Sequence, residues 1–135
     1  MKTDFNDPLG VDFACIDDLD ASLTLVSGNI GLGHSAARRH ITPRGGLFYD
    51  RDYGNDVRRF LKSSGFSPAQ GARIVESETL KDERVRATAA EVDFDLDNGD
   101  LLIKERITPI EGQSFDLTLS IDELTVRLLN EDVTI

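Results

Sequence analysis

Residues 41–56, ITPRGGLFYDRDYGND, hold three glycines, one proline and five charged residues among aromatics, and no regular helix or strand accommodates that mixture. Pro43 has no amide donor and pushes Thr42 toward extended backbone, while Gly45 and Gly46 allow angles closed to other residues. The stretch therefore reads as a structured loop. Phe48, Tyr49 and Tyr53 give it something to bury, which a flexible linker lacks. A plain packed connection between two helices is the alternative, since loops of this length are uncommon unless functional or disordered.

The 135 residues, 39% of them hydrophobic, suffice for one domain with one core. No apolar run approaches the length that spans a bilayer, and MKTDFNDPLG at the start lacks the basic and apolar regions of a signal peptide. A protein made in the cytoplasm, without membrane contact, is expected. The single Cys15 has no partner for an internal disulfide and suggests no zinc site, so it reads as a small buried or half-buried residue.

The formal net charge of −10 sets up a field that repels phosphates and argues against nucleic-acid binding. Its distribution is uneven. Residues 1–31 carry six Asp against one Lys, residues 32–62 seven Lys or Arg against three Asp, and residues 63–135 seven against sixteen. A basic band thus lies between acidic ends, either as solvated surface or as a docking site for an acidic partner.

Residues 1–27, with turn signals at Asn6-Asp7-Pro8 and Gly10, read as an extended acidic arm that orders against other surfaces. Residues 28–135 form the single domain. A helix is expected from Ser27-Gly28 to about His40, with Ile30, Ala37 and Ile41 on one face. Asn55 caps a second, with Val57, Phe60 and Leu61 inward and Gly65 as its stop. Ser67-Pro68-Ala69-Gln70 has the pattern of a capping box and opens a third, ending near Glu78 or Leu80.

The period then changes to that of strands. Asp97-Asn98-Gly99-Asp100 signals a hairpin with a two-residue turn at Asn98-Gly99. That register pairs Leu96 with Leu101, Phe94 with Ile103, Asp93 with Lys104 and Glu91 with Arg106. A bulge is expected near Ala89-Ala90, where the alternation changes phase. Residues 108–113 turn the chain, Phe115, Leu117, Leu119 and Ile121 alternate as a half-buried strand, and Leu124 to Leu129 lean toward strand over helix. The fold expected is α+β, with N-terminal helices packed on a C-terminal antiparallel β-meander of three to four strands.

Chemistry is sparse. His34 and His40 are six apart, so they do not share a helix face as metal-binding histidines four apart do, and no metal or other cofactor is expected. Gly28, Gly31 and Gly33 miss the dinucleotide spacing, because position 30 is Ile, and the Lys and Ser or Thr of a phosphate loop are lacking. Asp50 and Asp52 fit local backbone bonding in turns. Arg44 differs: its fork-shaped guanidinium, held by Pro43 and Gly45, suits a bidentate bond to a carboxylate inside the fold or on a partner.

Thr42, Arg44 and Gly45, followed by Asp52-Tyr53-Gly54 and Asp56, lie between an Ala/Arg-rich helix and an amphipathic helix leading to a strand meander. This pattern resembles the baseplate wedge proteins of contractile phage tails, the baseplate assembly protein W family, which is similar to a baseplate component of type VI secretion systems. The likeness covers residues 28–121 and is concentrated in 41–56. It implies a non-enzymatic virion structural protein of the tail baseplate that joins baseplate to sheath and initiates the sheath by offering β-strands. The implied partners are the tail sheath protein, other baseplate wedge proteins and tail tube or hub proteins. Pro43, Arg44, Gly45, Tyr53 and Gly54 are the loop residues carried over as partner-binding. Phe115, Leu117 and Leu119 are expected on a sheet edge, where they would contribute to a core shared with a sheath strand. Members have carried the label lysozyme-like, for which the residues show no catalytic pattern. Two alternatives are a small cell-wall hydrolase, testable by peptidoglycan turbidity, and a cytosolic adaptor unrelated to tails.

Overall fold

The computed structural model describes residues 6–15, 21–55, 57, 67–95, 100–121 and 126–128. In chain order, β1 (Val11–Phe13) and β2 (Leu25–Ser27) pair antiparallel, and α1 (Gly28–Ile41) and α2 (Pro68–Thr79) follow. Then β3 (Val85–Asp95), β4 (Asp100–Pro109), β5 (Phe115–Ile121) and β6 (Val126–Leu128) form one antiparallel sheet in that order. The fold is α+β: both helices precede the meander, and a small two-stranded sheet precedes both.

The core lies between α1 and the inner face of the meander. Leu32, Ala36, Ala37 and Ile41 from α1 meet Leu101, Ile103, Ile107, Phe115, Leu117, Leu119 and Ile121 from β4 and β5, and Ile30 packs at its margin. At Gly33 the helix comes close to β5, and a Cβ there would touch the Phe115 ring at an ordinary contact distance of 3.5 Å. On β5 the alternation is as expected, with Phe115, Leu117, Leu119 and Ile121 buried and Asp116 exposed. The stretch 126–128 is strand, as the leaning suggested. In α2 the Ser67 hydroxyl accepts from the Gln70 amide and Pro68 occupies the first turn, which is the expected cap.

The acidic start of the chain reaches the core through Leu9, which is 4% exposed. Arg84 holds it there. Its guanidinium makes a fork onto Asp82 (2.6 and 2.9 Å) and donates to the Leu9 carbonyl (2.8 Å) and the Ser35 hydroxyl (3.0 Å). Arg38 adds bonds to the Cys15 carbonyl (2.8 Å) and the Asp12 carboxylate (3.1 Å).

Two strand expectations are corrected. Phe94 pairs with Leu101, Asp93 with Leu102, Glu91 with Lys104 and Ala89 with Arg106, a two-residue slip from the expected pairs. Asp100 faces Asp95, a register that does not fit a two-residue turn centred on Asn98-Gly99. The conformation at Asn98-Gly99 and the side chain of Leu96 lie outside the described residues. An even slip keeps every side chain on its face, so the apolar pattern alone could not choose between the registers. In the observed register Glu91 faces Lys104 on β4, and Arg106 pairs instead with Asp116 on β5 (3.2 Å). The bulge lies between Val85 and Ala87 instead of at Ala89-Ala90. It lets Val85 and then Thr88, Ala90 and Val92 all turn inward as the chain leaves the Asp82–Arg84 turn. The helix expected after Asn55, with Phe60, Leu61 and Gly65, lies outside the described residues; Val57 is fully buried.

Candidate functional site

The long loop begins where α1 stops. Thr42 turns to extended backbone (φ −89°, ψ 124°), and its amide and hydroxyl both donate to the Arg38 carbonyl, at 3.1 and 2.7 Å. Pro43 then prevents continuation. A tight turn follows, with the Gly46 amide on the Pro43 carbonyl at 2.9 Å. Asp50 accepts from the Asp52 amide (3.2 Å), the local bonding expected of an Asp in a turn. The Asn55 amide closes the loop on the Arg39 carbonyl at 2.9 Å.

One carboxylate organises the loop. Glu78 on α2 has no exposed side-chain surface and accepts from Arg39 (3.2 Å), Arg44 (3.2 Å), Lys81 (2.8 Å) and the Gly54 amide (2.6 Å). Three of these four donors come from α1's last turn and the loop, so one buried group fixes the loop against both helices. Burial alone would raise the Glu78 carboxyl, but bonds from Lys81 and the Gly54 amide, with the Arg39 charge, outweigh it and hold the group below its ordinary range. Lys81 also donates to the Asp52 carbonyl at 2.6 Å.

Gly54 is required here twice over. Its φ is +94°, and a Cβ would collide with the Thr42 carbonyl oxygen. Beside it the Arg39 guanidinium lies 4.5 Å from the Tyr53 ring centroid, and burial raises the Tyr53 phenol against the lowering effect of Arg39 and Arg38.

The expected site residues fall into two groups. Pro43, Arg44 and Gly45 are exposed in the first turn, Tyr53 is half-buried and Gly54 is buried. Arg44 does meet a carboxylate inside the fold, though through a single N–H; its Nε donates instead to the Gly54 carbonyl at 3.1 Å. Phe115, Leu117 and Leu119 are at most 4% exposed, with side chains in the chain's own core. Among the described residues the outer backbone edge of β5 is uncovered over 115–118, while residues 119–121 pair with β6. Two of the loop's aromatics are not buried as expected. Phe48 is 86% and Tyr49 72% exposed, packed edge to face on each other with centroids 5.2 Å apart. The loop is instead fastened to α2 through Glu78 and its cations.

Sequence reasoning missed three buried carboxylates, Asp82 in the turn before β3 and two on regular elements, Glu78 and Glu105. Glu78 sits at the helical spacing of α2's buried face, with Gly71, Val75 and Thr79. Glu105 follows Leu101 and Ile103 in the inward phase of β4. There it accepts from the Thr88 hydroxyl (2.7 Å) and meets the His40 Nε2 (3.1 Å), which also lies 3.2 Å from the Thr79 hydroxyl. For Glu78 and Glu105 the readable signal was an acid at an apolar position of a periodic pattern. Among the described residues no three His, Cys, Asp or Glu side chains are placed to hold a metal ion. No family model and no curated protein matches the chain.

Proposed function

We propose that this chain is a structural wedge subunit of a contractile-tail baseplate, which joins baseplate to sheath and initiates sheath assembly by strand addition. The observation that carries the reading is the loop. It is fixed from below by Glu78 and displays Phe48 and Tyr49 outward beside Arg44. Aromatic and Arg side chains on a preorganised support are the residues that dominate protein–protein interfaces, because little ordering entropy is lost when they dock. The same loop holds the residues of the baseplate resemblance, Pro43, Arg44, Gly45, Tyr53 and Gly54.

The sheet edges support an unequal division of labour. On β3 the Ala90 amide donates to the Glu76 carboxylate at 2.9 Å, so that edge is blunted by the chain itself. Among the described residues no strand pairs with the outer edge of β5 over 115–118 or with that of β6. Strand addition therefore belongs to the β5–β6 side, through main-chain bonds with the core side chains left in place. The test is electron microscopy of particles assembled with the Phe48→Ala, Tyr49→Ala double variant. A folded subunit with baseplates that fail to join the sheath is expected; normal sheathed particles, or particles without this chain, would overturn the reading.

A further inference from the structure

Beside the loop runs a groove of about 600 Å³, lined by Arg44 and Asn55 from the loop and by Gln70, Arg73, Ile74 and Ser77 from α2. The four α2 residues follow the i, i+3, i+4, i+7 spacing of one helix face, distinct from the face that buries Gly71, Val75 and Glu78. Two guanidinium groups have capacity to spare. Arg73 is exposed and has no partner among the described residues, and Arg44 engages Gly54 and Glu78 through Nε and Nη2 only. The local balance is positive although the whole chain is −10. The groove's own lining carries two cations, Arg44 and Arg73, and no acid.

We propose that this groove binds a short acidic peptide segment of a protein partner, with its carboxylates on Arg44 and Arg73. Guanidinium groups bind carboxylates by directed N–H bonds, and a positive patch bounded by acidic surface favours a short acidic segment over a long polyanion. Gln70 and Ser77, both exposed, supply polar contacts to an extended backbone, and half-buried Ile74 gives the groove an apolar floor. A nucleic acid would run past the groove onto the acidic ends of the chain and meet repulsion there. The site does not depend on the tail reading, since any partner with such a segment satisfies it.

The test uses the full chain and a fluorescein-labelled short oligoglutamate peptide, followed by anisotropy and by amide chemical shifts. Saturable binding is expected, weakened by added salt, with shifts confined to residues 42–55 and 67–79. Arg73→Glu should weaken it roughly tenfold while leaving the thermal melt unchanged, and Arg73→Lys should retain part of it. Four outcomes would overturn the site: no binding, equal binding of oligoglutamine, unchanged affinity in Arg73→Glu, or tighter binding of oligothymidylate at the same residues.

Discussion

Glu78 and Arg44 form one ion pair, yet the two ends differ in what their loss leaves behind. Removing the Glu78 carboxylate strands Arg39, whose side chain is 14% exposed, and the buried Gly54 amide. Loss of one partner of a buried pair costs about 3–5 kcal/mol. Arg44 is half exposed, and without it Glu78 keeps Arg39, Lys81 and the Gly54 amide, so its truncation belongs with surface pairs at about 0.2–1 kcal/mol. Denaturant unfolding of Glu78→Ala and Arg44→Ala should separate the two clearly; equal losses would contradict the assignment of Glu78 as the centre. The same carboxylate sets a pH dependence. Glu78 and Asp82 are both held below their ordinary values of 4.5 and 3.8 in the fold, Asp82 because its Arg84 fork outweighs the effect of burial. A depressed carboxyl stabilises the fold above its unfolded pKa, and that stability is lost as pH falls through the folded one. Thermal melts should therefore drop on acidification below about pH 4.5, and Glu78→Gln should show a smaller drop. A stability that is flat through this range, or rises on acidification, would count against both pairs.

Two glycines measure how tightly the elements meet. Gly33 lies inside α1 with ordinary negative φ, and a Cβ there meets Phe115 and Leu117 at 3.5 and 3.8 Å, normal contact distances. Gly33→Ala should stabilise the protein by about 0.5–1 kcal/mol, because the unfolded chain loses freedom and the helix gains propensity. Gly54→Ala should cost about 1–3 kcal/mol or more, through its positive φ and the collision with Thr42. Thermal unfolding reads both signs; the same sign for both would show that the packing is wrongly described. At this scale much was legible. The capping Ser67, the helix from Gly28 and the strand of Phe115 to Ile121 each rest on local pattern, and local pattern survived. The hairpin register did not, because two registers differing by two residues present the same faces to the core. The bulge at Arg86 was hidden for a related reason: the alternation breaks, but where it breaks depends on the turn that Asp82 and Arg84 build before the strand.

For the whole molecule, the sequence located the candidate site but not what holds it. Arg44 was legible as a residue seeking a carboxylate; Glu78, 34 positions away, was not, since only the packing of α2 against the loop brings them together. Phe48 and Tyr49 read as anchors to be buried, yet they face outward, and the contact of the loop with α2 is made by charge. The resulting arrangement is a chain of net charge −10 with a local basic surface, one sheet edge blunted at Ala90 and, among the described residues, one edge that no strand covers. The surface at Phe48, Tyr49 and Arg44 depends on the loop being held in place. Native-state amide exchange reports that directly at Gly54, whose N–H is given to the buried Glu78 carboxylate at 2.6 Å. In the wild-type chain the Gly54 amide should exchange as slowly as the central amides of β4 and far more slowly than that of Gly45; in Glu78→Ala it should lose that protection while β4 keeps its own. A Gly54 amide that exchanges as fast as Gly45 in the wild-type chain would contradict the account.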